Sequence, residues 1–210
     1  MDFILALVGF SYNSEIVCSP KIVFQSEYMN EIRSIIGPDR PLHIQVTALD
    51  TEGMLRDADT LLSKVDPEVY VKVPVTMEGI KAIKQMKARG IHVTGTAIYG
   101  KQQGFLAMEA GADYIAPYFN RMENMGLDSD DVIASLADMI DLYHYDTQIL
   151  AASFKNAGQI DRAFLAGAHT ATMDPAILKD VLTQPYITNA VDTFDSDWKS
   201  VFAEKTISEL

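Results

Sequence analysis

The chain has 210 residues, 48% of them hydrophobic, which is enough to bury one substantial core and too few for two comfortable domains. Its 29 acidic against 17 basic residues give a net charge of −12, which repels nucleic acid and anionic membranes at long range but lets a few local Arg and Lys hold a small anion. The single Cys18 cannot form an internal disulfide and the four dispersed His show no zinc-ligand spacing, so a reducing cytoplasm is expected and a bound metal is not.

No Ser/Gly/Pro tract or charge block interrupts the chain, and one continuous domain over residues 1–210 is expected. The apolar stretch at residues 3–10 follows Asp2 instead of a basic segment and is too short to cross a bilayer, so it reads as a buried strand rather than a signal peptide. Weak strand patterns at residues 3–8 and 16–18 are followed by stronger ones at 43–46, 69–75, 93–98, 114–118, 148–153 and 169–173. Amphipathic helical stretches such as 77–88 and 129–143 lie between them, the alternation of parallel βαβ units. Gly90, Gly111 and Gly167 each stand where a helical stretch gives way to a strand, the place for a residue free to adopt positive φ.

Eight strands at spacings near the roughly 30 residues per unit of a (β/α)8 barrel predict that fold. A doubly wound open sheet has the same rhythm, because spacing does not reveal closure. A last helix over residues 187–204, with Phe194, Trp198 and Phe202 in a stripe, is expected to pack on the barrel or on a neighbouring subunit.

In Tyr70-Val71-Lys72-Val73-Pro74-Val75 the odd-numbered valines share one strand face and Lys72 projects from the other, which predicts a lysine inside the barrel. A buried ammonium pairs or loses its proton, and a neutral amine is the nucleophile that Schiff-base chemistry needs. The same alternation predicts Gln45, Thr96, Tyr118 and Ser153 to face inward near strand ends, where barrel enzymes place their sites. Arg121 and Lys155 follow two of these strands and can serve as cations for a phosphate or carboxylate. The run Gly95-x4-Gly100-Lys101 has Gln102 where a nucleotide-binding loop needs Ser or Thr, and Gly95 falls within a strand, so no such loop is assigned.

Four stretches, Tyr70-Val71-Lys72-Val73-Pro74-Val75-Thr76, Gly95-Thr96-Ala97-Ile98-Tyr99, Ala116-Pro117-Tyr118-Phe119-Asn120-Arg121 and Ala151-Ala152-Ser153-Phe154-Lys155, resemble the motifs of the small-transaldolase and fructose-6-phosphate aldolase family. The resemblance covers roughly residues 30–206. It implies a (β/α)8 barrel with neither metal nor organic cofactor, assembled as a homo-oligomer, usually a decamer, acting on sugar phosphates. It also implies a Schiff base on the fourth-strand lysine, here Lys72. By the same resemblance Thr96 and Tyr118 would hold the catalytic water, Gln45 would meet sugar hydroxyls, and Arg121, Ser153 and Lys155 would bind phosphate. Tyr118 and Gln45 are similar to the aldolase branch; transaldolases usually carry Phe and an acid at those positions.

Residues 1–28 are atypical of the family. Ala6 stands where the family has an acid, and Ser19 where it has an Asn. Ser19 can supply one substrate hydrogen bond, whereas Ala6 cannot move a proton. Three functions are therefore carried forward: an aldolase of fructose 6-phosphate, its activity impaired by these departures; a transaldolase transferring a dihydroxyacetone unit; and a catalytically weakened barrel serving as a binding or assembly subunit.

Overall fold

The computed structural model of the chain describes Phe10–Ser11 and residues 26–210, with side chains from Met29 onward. The weak strand patterns at 3–8 and 16–18, together with Ala6, Cys18 and Ser19, lie outside the described residues. Strands β1 (Phe10–Ser11), β2 (Leu42–Gln45), β3 (Tyr70–Pro74), β4 (Val93–Ile98), β5 (Tyr114–Pro117), β6 (Gln148–Ala151) and β7 (Thr170–Ala171) alternate with helices. The helices are α1 (Ser26–Ile36), α2 (Thr51–Lys64), α3 (Met77–Ala88), α4 (Lys101–Glu109), α5 (Phe119–Asn124), α6 (Ser129–Tyr143) and α7 (Ala157–Leu165).

The strands lie side by side in chain order, each parallel to the next. A doubly wound sheet reverses its order at a switch point, and no reversal occurs among the described strands. The sheet is also curled. His43 on β2 meets Tyr114 on β5 edge to face with ring centroids 5.0 Å apart, although strands three places apart in a flat sheet are separated by about 14 Å. The concave face of the sheet therefore carries Lys72, and the convex face carries Val71 and Val73, both fully buried.

Several local signals explain where the helices begin and end. Asp50, Thr76, Asp128 and Asn156 each accept a hydrogen bond from a backbone N–H in the first turn of the helix that follows, which satisfies one orphan donor. Gly79 in the first turn of α3 is a packing requirement, because a Cβ there would lie 1.8 Å from the Pro74 carbonyl oxygen. Gly90, Gly111 and Gly167 take φ of 76°, 91° and 101° as the patterning predicted. Two expected strands are shorter than their patterns: 148–153 ends at Ala151 because Ser153 has φ 66°, and 169–173 contracts to Thr170–Ala171.

The described residues up to Met173 form one compact unit and Asp174–Leu210 a second. The second contains α8 (Pro175–Leu182), α9 (Pro185–Phe202) and a terminal 3-10 turn, Ile207–Glu209. Pro175 and Pro185 occupy first-turn positions where no backbone donor is needed. Within this unit the Trp198 indole N–H donates to the Lys205 carbonyl at 2.6 Å, and its ring lies 4.5 Å from that of Phe202. Among the described residues no helix is long and apolar enough to cross a membrane.

Candidate active site

Lys72 is the central residue of β3 and is 0% exposed. Its strand neighbours in register are Gln45 on β2 and Thr94 on β4, with Thr96 beside Pro74 one step further toward the strand ends. Burial disfavours the ammonium and lowers the pKa of Lys72 to about 8 from 10.5. At pH 7 that raises the neutral fraction from roughly 0.03% to roughly 10%, an increase of about 300-fold in reactive amine.

Beyond Lys72 the Thr96 hydroxyl lies 3.1 Å from the Tyr118 hydroxyl. Both residues are buried, and burial raises the phenol pKa, opposed by hydrogen bonds from Thr96 and the Ala97 backbone. Tyr118 is thus a neutral phenol in a fixed position. Arg121, in the first turn of α5, stands over the Tyr118 ring at 4.9 Å and donates to the Tyr99 hydroxyl at 3.3 Å. Gln45 is half-buried, and its side-chain oxygen is enclosed without a hydrogen-bond partner among the described residues.

Toward the N-terminal ends of the strands, His43 packs on Tyr70 at 4.9 Å and its Nδ1 lies 2.8 Å from the Thr94 hydroxyl. Burial first, and then the charge of Lys72, lowers the His43 pKa to about 3. His43 is therefore a neutral polar wall at physiological pH and adds no positive charge beneath the lysine.

The phosphate candidates sit at the junction of α5 with β6 and α7. Backbone bonds run from Phe119 N–H to the Ala152 carbonyl at 2.8 Å and from Asn120 N–H to the Ser153 carbonyl at 3.2 Å, which brings the segments bearing Arg121 and Lys155 together. Ser153 reaches this rim through a left-handed turn instead of strand alternation, and Lys155 is exposed. Lys72, Gln45, Thr96 and Tyr118 thus share the concave face, Arg121, Ser153 and Lys155 share the rim, and Ser19 lies outside the described residues.

The motifs did not single out Gln103 and Gln159. Each accepts a hydrogen bond from the backbone N–H just before its helix N-cap: Tyr99 to Gln103 at 2.9 Å and Lys155 to Gln159 at 2.8 Å. Asn156-x-x-Gln159 has the spacing of a capping box, a signal readable in the sequence; Gln103 follows Gly100 and carries no such mark. Their turns hold Ala97 at φ 57° and Ser153 at φ 66°, a region that costs an L-residue roughly 1–2 kcal/mol. Among the described residues no group of three His, Cys, Asp or Glu side chains could hold a metal ion.

The sequence has counterparts among known proteins. Residues 22–209 match the family model described as transaldolase/fructose-6-phosphate aldolase. A Streptococcus pneumoniae protein named probable fructose-6-phosphate aldolase is 44% identical over 195 residues, which is 93% of this chain and 88% of its relative. A Chelativorans protein named probable transaldolase is 36% identical over 188 residues, 87% of this chain and 85% of that protein. With its motifs lying in one match that spans almost the whole chain, the protein belongs to the transaldolase/fructose-6-phosphate aldolase family.

Proposed function

We propose that the protein is a Schiff-base aldolase that cleaves fructose 6-phosphate to dihydroxyacetone and glyceraldehyde 3-phosphate, or forms it from them, within a complete (β/α)8 barrel. The observation that carries this reading is Lys72, fully buried on a concave polar face with its pKa lowered to about 8. Its neutral amine attacks the C2 carbonyl, and loss of water leaves a protonated imine. Deprotonation of the C4 hydroxyl then drives the C3–C4 electron pair toward the imine nitrogen, which is the electron sink, so no metal or organic cofactor is required. Glyceraldehyde 3-phosphate departs, the enamine is protonated at C3, and water releases dihydroxyacetone.

In this scheme the Tyr118 and Thr96 hydroxyls hold the hydrolytic water and relay protons. Gln45 offers its unsatisfied oxygen to a sugar hydroxyl. Arg121, Ser153 and Lys155 bind the phosphate, with Arg121 suited to a two-pronged contact. Tyr118 and Gln45 favour aldolase over transaldolase, as does the higher identity to the relative of that name. Transaldolase is the second reading, because it shares every step up to the enamine and differs only in whether water or an aldehyde intercepts it. The reading extends to a cytoplasmic homo-oligomer, a decamer in size, to be weighed by light scattering.

The test is to incubate intact protein with dihydroxyacetone, reduce with borohydride and map the adduct by mass spectrometry. One adduct, on the peptide bearing Lys72, is expected. Labelling that survives Lys72→Met removes the assignment, and absence of any adduct leaves a binding or assembly role for the barrel.

A further inference from the structure

The β4–α4 and β6–α7 junctions repeat one backbone device with the same spacing. A non-glycine residue at positive φ, Ala97 or Ser153, is followed three residues later by the helix N-cap, Gly100 or Asn156. Six residues on from the strained position comes a glutamine, Gln103 or Gln159. Both glutamines use their amides alike, with the oxygen accepting one backbone N–H and the nitrogen donating twice. Gln103 donates to the carbonyls of Val75 at 3.1 Å and Ala97 at 3.2 Å, joining the end of β3 to the strained turn of β4. Gln159, itself buried, donates to Asn120 Oδ1 at 3.0 Å and to the Glu123 carboxylate. Glu123 is held in turn by Arg162 at 2.6 Å.

We propose that Gln103 and Gln159 are paired positioning residues, each locking the turn that presents one end of the substrate site. Gln103 fixes the segment in which the Thr96 hydroxyl and the Ala97 N–H meet the Tyr118 phenol and the Tyr99 ring packs edge-on against it. Gln159 fixes Ser153 and Lys155 against Asn120, the neighbour of Arg121. The inference rests on reading Thr96 and Tyr118 as proton-handling groups and Arg121, Ser153 and Lys155 as phosphate ligands. Neither glutamine touches substrate in this scheme. Each acts through a bond network in which both donors are spent, so an apolar side chain of similar size strands several part-buried partners and frees the turn.

Equivalent architecture with different cargo predicts opposite kinetic defects. With dihydroxyacetone as donor, acceptors are compared with and without phosphate: glyceraldehyde 3-phosphate and glyceraldehyde. Gln159→Leu should raise KM for the phosphorylated acceptor about tenfold, the worth of one charge-assisted hydrogen bond, and change kcat less than about threefold. Gln103→Leu should lower kcat about tenfold with both acceptors and leave the ratio of their KM values unchanged. Two variants that lose activity in the same way, in proportion to a drop in melting temperature, would show a purely structural role and overturn the proposal.

If the leucine variants do not fold, a donor–acceptor swap takes their place. Gln159→Glu alone should raise the phosphate-dependent KM, and adding Glu123→Gln, which returns a donor to the pair, should bring it back within about threefold. Failure of the swap to recover overturns the assignment of Gln159. Wild-type protein that shows no preference for the phosphorylated acceptor overturns the phosphate reading itself, whereas a preference that persists in Gln159→Leu overturns only the positioning role.

Discussion

At the β4–α4 junction the chain delivers buried groups: Thr96 is fully enclosed with the phenol of Tyr118 as its partner, and the amide of Gln103 holds the carbonyl of the next residue, Ala97. At the β6–α7 junction the same turn delivers groups to water, with Ser153 half-buried and Lys155 exposed beside the charged set of Glu123, Arg162 and Asp130. The backbone is common to both and the solvent is not. A hydroxyl in a dry setting is fixed in orientation and suits proton transfer; a cation at a wet rim keeps its charge cheaply and suits phosphate capture. On the proposed reading, one fold unit serves reaction chemistry at one place and recognition at another.

In the proposed reaction the groups of both junctions act on a substrate held by Lys72, so the largest effect belongs there, and its pH dependence tests the dry side of the comparison. A lysine with a pKa of about 8 is increasingly neutral as pH rises. The rate of borohydride-trappable imine formation should climb close to tenfold per pH unit from 6 toward 8 and level off above it. A rate that keeps climbing to pH 10 would show that burial does not lower the lysine pKa.

Next in size is Tyr118→Phe, which removes the acceptor for the Ala97 N–H and the partner of Thr96. Release of free dihydroxyacetone should fall by about 10²-fold, in the range of one positioned acid–base group, while transfer of the dihydroxyacetone unit to an acceptor aldehyde falls less. Equal loss of both activities, measured side by side, would remove Tyr118 as the group that distinguishes hydrolysis from transfer.

The wet side is probed by Arg121→Ala and Lys155→Ala. Each should raise KM for the phosphorylated acceptor by about 10–100-fold, corresponding to roughly 1.5–3 kcal/mol for a hydrogen bond to a charged group. Binding of glyceraldehyde should hardly change. A similar rise in KM for both acceptors would show that the rim holds the carbon chain and not the phosphate.

The smallest effect tests the floor beneath the lysine. His43 has a folded pKa near 3 against 6.5 when free, so the unfolded chain binds more protons between those values and stability declines as pH falls from 6.5 toward 3. The decline reaches roughly 2 kcal/mol at pH 5. His43→Phe, which keeps a ring against Tyr70 and Tyr114, should flatten that part of the melting-temperature profile; an unchanged slope would assign the acid sensitivity to other groups.

Much of this was legible in the chain itself. The valine alternation around Lys72 placed the lysine opposite an apolar face because strand side chains alternate with period two, and the glycines at 90, 111 and 167 marked helix ends because only a residue without Cβ takes that conformation cheaply. Helices Met77–Ala88 and Ser129–Tyr143 and strand Val93–Ile98 run between the bounds their periodicity predicts. What the pattern could not decide was closure and convergence. Sheet curl appears only when His43 and Tyr114, distant in sequence, come within ring contact, and the shift of Lys72 arises from the many groups that exclude water around it. Ser153 shows the limit most clearly: alternation predicts its inward face, but a left-handed turn carries it to the rim, held by a glutamine six residues on whose partners lie on another helix. Local periodicity and turn chemistry are written along one stretch of chain. The dielectric around a lysine and the partners of a buried amide are properties of space, and only the tertiary structure sets them.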